Sequence, residues 1–342
     1  MKTSTKEPVA VLISDVHYSR TTWKLADMAV RTAIDKAAEL GVELIDCGDL
    51  TNDKSLLHAE YVNALIDTMK YAQQREVSVV CLVGNHSLLN TKDTAHALEF
   101  LRPYASVVDK PTVVNEFVCL PYYDDLSALQ SALLAIPKKS TVIMHQGITN
   151  ANCGHYGTDP NAAPTDWFAN FRTISGHYHQ RQTINCRNGR RAGKGHIGEL
   201  DYVGNPYTLS FAEANEQKGF QVLYSDGALE FVRLNLRMHI TLEANIDNLS
   251  KIIETTDLAP DTILKLTITG SRAELDTLNK TEIGQKLLGH DNYKLELVAT
   301  NTNEMKSDPQ QSPREVLNQL IDNLPESQDY KAYLQSLLTE IL

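Results

Sequence analysis

Apolar and polar positions in the first third of the chain alternate as in a protein built of buried strands and amphipathic helices. The runs VAVLIS, VELIDCG and VSVVCLVG stop directly before Asp15, Asp49 and Asn85. Helical periodicity over residues 22–40 and 56–74 separates these runs, which predicts βα units in a layered α/β sheet. Ligands of such sheets gather at the carboxyl ends of the strands. The polar residue after each run is therefore a candidate site residue.

Later apolar runs extend the same pattern. Strands are predicted at residues 117–120, 141–144 and 173–175, and the last two stop at or just before His145 and His177. After Gly198 the chain becomes rich in strand patterns, with ELDYVG, GFQVLY and LEFVRLNL. We expect these strands to form a second sheet, which would complete a four-layer α/β/β/α sandwich over residues 1–236.

The remainder divides into three parts by pattern. Residues 237–300 alternate strands and short helices and predict a small α+β domain, whereas residues 301–311 lack apolar periodicity and predict a linker. Ser312, Pro313 and Glu315 then supply the residue types that begin a helix. Residues 312–342 are predicted to form two amphipathic helices that dock on a partner; packing against this chain's own core is the alternative. The docking stripe comprises Leu317, Leu320, Ile321, Leu324, Leu334 and Leu337.

Composition sets further bounds. The 342 residues are 42% hydrophobic and 22% charged, as in an ordinary globular protein. The polar first eight residues and the absence of a long apolar run argue against a signal peptide or membrane span, so a cytoplasmic protein is expected. Five cysteines without CxxC spacing argue against a disulfide framework.

The formal net charge of −11 means that any nucleic-acid contact must use a local patch or a partner. Residues 181–194 form such a patch, because they carry basic side chains and no acidic one. A solvated hairpin tip is the competing interpretation of this basic stretch. Its basic residues are Arg181, Arg187, Arg190, Arg191 and Lys194.

The residues at the strand ends form a set suited to metal ions. Taken singly, each of these motifs is weak evidence, but together they place carboxylates, imidazoles and an amide at successive strand ends. Hydrolysis of a phosphodiester needs an activated water and neutralised phosphoryl oxygens, which two divalent cations about 3.5 to 4 Å apart provide. A bridging carboxylate is needed between such cations, and Asp49 is our choice. The motifs are Asp15-x-His17, Gly48-Asp49, Gly84-Asn85-His86, His145 and Gly176-His177-Tyr178-His179.

On these motifs the chain resembles the calcineurin-like metallophosphoesterases, and among them the SbcD and meiotic-recombination-eleven type of nuclease. The resemblance implies two divalent ions, with Mn expected and Mg, Fe or Zn as alternatives. It implies that His86 contacts the phosphate and assists the leaving oxygen without binding metal. One ion would be held by Asp15, His17, Asp49 and His179, and the other by Asp49, Asn85, His145 and His177.

The resemblance extends beyond the metal motifs. Residues 202–211, YVGNPYTLSF, are similar to a segment that follows the metal core in this branch. The small α+β domain resembles the branch's DNA-capping domain, and the terminal helices resemble its docking segment for a coiled-coil SMC-like ATPase. What the resemblance implies is a homodimeric DNA nuclease, exonuclease or endonuclease, that serves DNA repair or recombination in an SbcCD-like complex.

Two positions depart from the family pattern, and two rival functions stay open. Ser87 stands where relatives usually carry Asp, and Asn52 where several carry His, which puts the support of His86 and strand guidance in doubt. The texts GDLTND and VGNHSL lack the arginines of protein phosphatases, which argues against that class. A small-molecule phosphodiesterase and a non-catalytic adaptor subunit remain as alternatives.

Overall fold

The computed structural model describes residues 6–89, 95–154, 157, 159–256, 258, 261–300, 318, 321–323 and 328–341; in the last range, side chains are described for 328, 330–335 only. The main part contains two six-stranded sheets. The first has the order β12-β11-β1-β2-β3-β4, in which β1 to β4 are parallel and β11 and β12 are antiparallel neighbours. Its strands are β1 (Pro8–Ile13), β2 (Glu43–Asp46), β3 (Val79–Leu82), β4 (Ser106–Val108), β11 (Gly219–Tyr224) and β12 (Leu229–Arg233).

The second sheet has the order β5-β6-β7-β8-β10-β9. Strands β6, β7, β8 and β10 are parallel, and the edge strands β5 and β9 are antiparallel to their neighbours. Its strands are β5 (Thr112–Val114), β6 (Phe117–Leu120), β7 (Thr141–His145), β8 (Arg172–Gly176), β9 (Gln182–Asn185) and β10 (Glu199–Tyr202).

The two sheets pack face to face on an apolar layer. Leu12 and Ile45 of the first sheet and Ile143 and Ile174 of the second lie in one buried cluster. Helices α1 (Trp23–Leu40) and α2 (Ala59–Gln74) cover the outer face of the first sheet, and α3 (Leu126–Ala135) covers that of the second. The predicted four-layer α/β/β/α sandwich is therefore confirmed.

The composition of the second sheet differs from our expectation. Only β10 of the strands after Gly198 belongs to it, whereas β11 and β12 join the first sheet beside β1. The physical reason is that β11 continues the pattern of β1, with Phe220 and Val222 facing the helices and Leu223 facing the other sheet. A run buried on both faces fits either sheet, so its sequence does not specify a neighbour.

Residues 239–299 form a third, parallel sheet with its own apolar cluster. The order is β13-β14-β15, and Leu249, Leu275 and Leu287 of the helices pack on Leu266 and Ile268 of β14. The elements are β13 (His239–Asn245), α4 (Leu249–Thr255), β14 (Ile263–Gly270), α5 (Arg272–Thr277), α6 (Glu282–Leu288) and β15 (Tyr293–Ala299). They lie where the sequence pattern predicts strands and helices.

The terminal segment is described in part. Ile321 is buried, and Lys331 and Gln335 of α7 (Gln328–Ile341) donate hydrogen bonds to Asp322 at 2.7 and 2.8 Å. Leu334 is half-buried. The linker at 301–311, the helix start at Ser312–Glu315 and the side chains of Leu317, Leu320, Leu324 and Leu337 lie outside the described residues. In the described part of the chain, no helix is long and apolar enough to cross a membrane.

Candidate metal centre

The metal-type side chains lie where the carboxyl ends of strands from both sheets meet. Asp15, Asp49 and Asn85 follow β1, β2 and β3, while His145 ends β7 and His177 follows β8. Hydrogen bonds join the two sheets at this edge: Tyr122 N donates to Val83 O at 2.8 Å, and His177 N donates to the Asp15 carboxylate at 3.1 Å. The structure therefore brings residues from distant parts of the sequence to one edge.

One group contains Asp15, His17 and His179. One ligand atom from each lies within 4.8 Å of the others. The Nε2 atoms of His17 and His179 are 3.1 Å apart, and Asp15 Oδ1 is 3.9 Å from His179 Nε2. Asp15 and His17 are buried, and His179 is about a third exposed at 31%. This group is partly open to solvent on the His179 side.

A second group is centred on Asn85. Its Oδ1 lies 3.0 Å from His145 Nε2 and 2.9 Å from His177 Nδ1. Asp49 Oδ2 is 3.2 Å from the same His145 nitrogen. Asp49 also belongs with His17 and His86 in a cluster of atoms within 4.8 Å. Asp49 thus lies between the two groups, where a bridging ligand would be needed.

The rings of His145 and His179 are each held by a hydrogen bond from Nδ1, on the side away from the site. The Nε2 atoms that face the site then suit cations. His145 Nδ1 donates to Cys47 O at 2.8 Å, and His179 Nδ1 donates to Glu213 Oε1 at 2.6 Å. In the neutral ring, each Nε2 is then a lone pair. The lone pair of His145 faces Asn85 Oδ1 and Asp49 Oδ2, which are also acceptors. Acceptors that converge in this way repel one another unless positive charge lies between them, so the donor set fits divalent metal ions.

The pKa values of His145 and Asp49 also indicate that this edge favours positive charge. Burial would lower the pKa of His145, but the facing Asp49 carboxylate raises it to about 9. Burial would raise the pKa of Asp49, yet the facing His145, together with His17 and His86, holds it well below its usual range. Burial lowers the pKa of His17 to about 4, which keeps that ring neutral near pH 7. The electrostatic environment beside Asp49 therefore favours a positive charge.

Two carboxylates that the sequence analysis missed orient the histidines. Glu213 accepts from His179, and Asp159 Oδ2 lies 3.4 Å from His177 Nε2, the nitrogen that points away from Asn85. Burial would raise the pKa of Glu213, but His179 and Lys218 lower it to about 2. The position of Glu213, two residues after the SF of the 202–211 segment, was a usable signal. No sequence signal marks Asp159, which lies on the long connection between β7 and β8.

The backbone at the ligands adopts conformations that L-residues rarely take. Asp15, His17, Asp49 and His177 have φ values of 52°, 53°, 56° and 95°. Glycine is needed at Gly48, where φ is 108° and an added Cβ would lie 2.3 Å from His145 Nδ1. Such conformations persist where surrounding contacts enforce them, and they cluster at functional sites. The strain is therefore additional evidence that this edge is a functional site.

His86 lies beside both groups. Its main-chain N donates to Asp49 Oδ1 at 2.8 Å, and its Nδ1 lies 3.2 Å from Asn52 O. The Asn52 carbonyl thus orients the ring, while the buried Ser87 hydroxyl has no hydrogen-bond partner among the described residues. A nitrogen of His86 lies within 4.8 Å of ligand atoms of His17 and Asp49, so its predicted role as a non-ligand stays a prediction.

The basic stretch is divided between two ends of the second sheet. Arg181 follows His179 at the metal edge, and its guanidinium lies 4.4 Å from the centre of the Phe231 ring. Strand β9 then runs away from that edge, because Asn185 pairs with Glu199 and Glu199 with Arg172 at the start of β8. The residues at this opposite end are Arg187, Arg190, Arg191 and Lys194. Arg187 is half-buried, whereas the side chains of Arg190, Arg191 and Lys194 are exposed.

A further cluster of His96, Glu99 and Asp109 has metal-type atoms but a different partner. Arg102 donates hydrogen bonds to Glu99 at 2.8 Å and to Asp109 at 2.5 Å, and its Nη2 lies 3.4 Å from His96 Nε2. The guanidinium already supplies the positive charge that these carboxylates need. We therefore treat the cluster as a structural ion pair.

Comparison with known proteins adds distant structural matches. No protein-family model matches this chain, and no curated protein matches it. A solved dimetal phosphatase from Danio rerio is 15% identical, with a TM-score of 0.40, and the match covers 64% of this chain and 93% of that one. The nuclease MPE of Pseudomonas putida is 16% identical, with a TM-score of 0.29, and the match covers 65% of this chain and 87% of that one. Similarity at this level assigns no family, so the function is inferred from the residues of this chain.

Proposed function

We propose that this chain is a metal-dependent phosphodiesterase that cleaves DNA through two divalent cations. The observation that carries the proposal is the convergence, at one sheet edge, of carboxylate, amide and imidazole atoms of the kinds that bind divalent metal ions. When bound, two divalent cations neutralise the phosphoryl oxygens and activate a water for attack. The wholly oxygen and nitrogen donor set favours Mn, with Mg, Fe or Zn as alternatives.

The candidate ligands divide into two sets, one for each ion. We assign Asp15, His17 and His179 to one ion, and Asn85, His145 and His177 to the other. Asp49 would contribute to both, because its two carboxylate oxygens are directed to different sides: Oδ1 accepts from His86 N and Oδ2 faces His145. A carboxylate in that position offsets the repulsion between two cations, which a neutral side chain could not do.

His86 is the residue that we assign to the leaving oxygen. Its ring is fixed through Nδ1 by the carbonyl of Asn52, so a second proton can be held on Nε2. Donation of that proton to the departing oxygen is general acid catalysis. The half-buried position of His86 gives a substrate access to the ring, unlike the wholly buried His145.

DNA is the proposed substrate because of features outside the ligand set. The 202–211 segment and the small α+β unit resemble parts of the SbcD type of nuclease, and Arg181 places a cation beside the metal edge. On the same resemblance we propose that the chain works as a homodimer in an SbcCD-like complex for DNA repair or recombination.

The substrate is tested with the purified chain, Mn²⁺, labelled linear duplex DNA, circular single-stranded DNA and a bis(nitrophenyl) phosphate. The proposal expects Mn²⁺-dependent cleavage of DNA, with the two DNA forms distinguishing exonuclease from endonuclease action. Hydrolysis of the nitrophenyl diester with DNA left intact would favour a small-molecule phosphodiesterase. Hydrolysis of neither substrate, with or without a coiled-coil ATPase, would favour an adaptor subunit.

We also propose that residues 312–342 dock on a coiled-coil SMC-like ATPase. The sequence predicts two short amphipathic helices after a linker, and such helices present more apolar surface than they can bury against each other. Deletion of 312–342 should then abolish co-purification with the ATPase and leave Mn²⁺-dependent hydrolysis of the nitrophenyl diester intact. A fall of several degrees in Tm would instead show that the segment packs on this chain, where the buried Ile321 would be its anchor.

A further inference from the structure

One stretch of chain contacts both the metal edge and the third sheet. We call residues 204–218 the support segment. It begins at Gly204, where φ is 76° and an added Cβ would lie 2.9 Å from His179 O. It ends at the buried Lys218, whose Nζ donates to the same carbonyl at 3.1 Å. Both ends of the support segment therefore lie against the main-chain carbonyl of His179.

The centre of the support segment holds Glu213 in one position. Asn205 Nδ2 and Leu209 N donate to Glu213 Oε2 at 2.9 and 3.0 Å, while Oε1 accepts from His179. Lys218 Nζ adds an ion pair at 3.3 Å. Each carboxylate oxygen is thereby committed, so the orientation of the His179 ring depends on where this segment lies.

The opposite side of the same segment is bonded to β13, the first strand of the third sheet. Thr208 Oγ1 accepts from His239 N at 2.8 Å and lies 2.9 Å from His239 Nδ1. Asn215 N donates to His239 O at 3.1 Å, and the Asn215 amide bonds both main-chain groups of Thr241 at 3.2 and 3.3 Å. Phe211 packs edge-on against His239, with 4.9 Å between ring centres.

We propose that the docking of β13 on the support segment positions Glu213, and through it sets the metal affinity of the His179 group. The proposal rests on the metal-binding function proposed above. Thr208 and Asn215 are positioning residues in this scheme, because they touch neither the ligand atoms nor the site. The consequence is that a partner or DNA that moves the third sheet would alter metal occupancy at the edge.

The connection from β13 to Glu213 is short, and its polar groups have few other hydrogen-bond partners. Glu213 and Thr208 are buried, at 8% and 0% exposure, so a displaced segment cannot exchange its hydrogen bonds for water without cost. Thr208 and Glu213 are close in the sequence, and Leu209 N, in between, already donates to Glu213. A shift at β13 is therefore transmitted to the carboxylate over a few residues of one segment.

The test is titration of the full chain with Mn²⁺ by calorimetry, at a temperature far below Tm. Thr208→Val removes the hydroxyl that binds His239, and Thr208→Ser restores it. Asn215→Gly removes the two side-chain hydrogen bonds to Thr241, and glycine suits the φ of 66° at this position. We expect the Val and Gly variants to weaken one of two Mn²⁺ sites by about 2- to 30-fold, and the Ser variant to bind as the unaltered chain does.

Asn115→Gly is the matched control. Asn115 also has a positive φ, of 50°, and donates a side-chain hydrogen bond, to Glu43 at 2.9 Å, but it lies before β6 at the opposite end of the sheet. This variant should bind Mn²⁺ normally. Unchanged Mn²⁺ affinity in both Thr208→Val and Asn215→Gly, or equal weakening in Asn115→Gly, overturns the coupling. A complete lack of Mn²⁺ binding by the unaltered chain overturns the proposed function itself, and the coupling with it.

Discussion

In three of the four histidines that we assign to metal ions, a contact on the far side of the ring sets the nitrogen that faces the site; His17 Nδ1 has no hydrogen-bond partner among the described residues. The Cys47 carbonyl, Glu213 and Asp159 lie behind His145, His179 and His177, respectively. Main-chain and carboxylate acceptors of this kind hold the proton away from the metal side and fix the ring plane. Two of these acceptors come from loops, so the fidelity of the site depends on residues that are not themselves ligands.

Asp49→Asn should abolish both metal loading and hydrolysis. The amide keeps the shape of the side chain but removes the charge between His145 and the other ligand group, so two cations would repel each other unshielded. Metal content per chain and diester hydrolysis are the measurements. Asp53→Asn, a change on the same loop, should leave both intact. Two bound ions together with normal hydrolysis in Asp49→Asn would refute the two-metal assignment.

His86→Gln should lose nearly all cleavage while it keeps its metal ions. General acid assistance contributes about 10²- to 10⁴-fold to rate, which sets the expected loss. Glutamine retains the main-chain N–H that binds Asp49, so the ligand geometry should survive. Metal content decides the outcome: loss of an ion along with activity would make His86 a ligand, consistent with its closeness to His17 and Asp49.

The sequence predicted the ligand-type residues better than their supports. Asp15, Asp49 and Asn85 follow apolar runs, so their place at a strand end is visible in the pattern alone. Asp159 and Glu213 reach the site from irregular segments, and only the folded chain shows which ring each one meets. For the same reason, the support of His86 by the Asn52 carbonyl had no sequence signal, since any residue offers that oxygen.

At the scale of elements, the connection between β7 and β8 is as important to the site as the strands are. It carries Asp159, which accepts from Tyr178 OH at 3.0 Å as well as facing His177. The ring of Tyr122, from the loop after β6, stacks on His177 with 5.9 Å between centres. His177 is therefore held between two loops, although its own strand ends at Gly176.

Asp159→Asn should weaken one metal site by about 10- to 100-fold without unfolding the protein, as expected for removal of a carboxylate behind a ligand histidine. The hydrogen bond with His177, opposed by partial burial, lowers the pKa of Asp159 to about 2, so the charge is present across the neutral range. Mn²⁺ titration and Tm measure the two effects. Asp166→Asn, a change on the same connection, is the control; equal Mn²⁺ affinity in both variants would exclude the orienting role.

Long elements were predictable and short or ambiguous ones were not. Helices α1 and α2 begin within a few residues of their predicted starts, because their apolar residues recur at helical spacing over several turns. Strands β4 and β5 contain three residues each, too few for a pattern to appear. The sheet to which β11 belongs is a tertiary choice, made by pairing with β1 that no local sequence encodes.

At the scale of the whole molecule, charge is distributed unevenly over an acidic chain. The net charge is −11, yet the loop between β9 and β10 carries Arg187, Arg190 and Arg191 without a nearby acidic residue in the sequence. This loop lies at the far end of β8 from His177, a separation of about 13 Å or more for the length of that strand. A short substrate at the metal edge would not reach it, whereas a longer duplex could contact both.

Replacing Arg187, Arg190 and Arg191 together by Gln should therefore weaken the binding of long duplex DNA and leave hydrolysis of a nitrophenyl diester unchanged. For every phosphate that the variant no longer neutralises, the slope of log affinity against log salt should become shallower by about 0.9, because fewer counterions are released. Affinity across a salt series, for duplexes of increasing length, measures this slope.

The matched control replaces Lys36, Lys70 and Arg75 by Gln. It changes the net charge equally but alters the helix layer, where these residues form surface ion pairs of little energetic value. An unchanged slope in the triple Arg variant, or an equal change in the control, would mean that the basic loop is an ordinary solvated hairpin tip and that DNA approaches the metal edge by another surface.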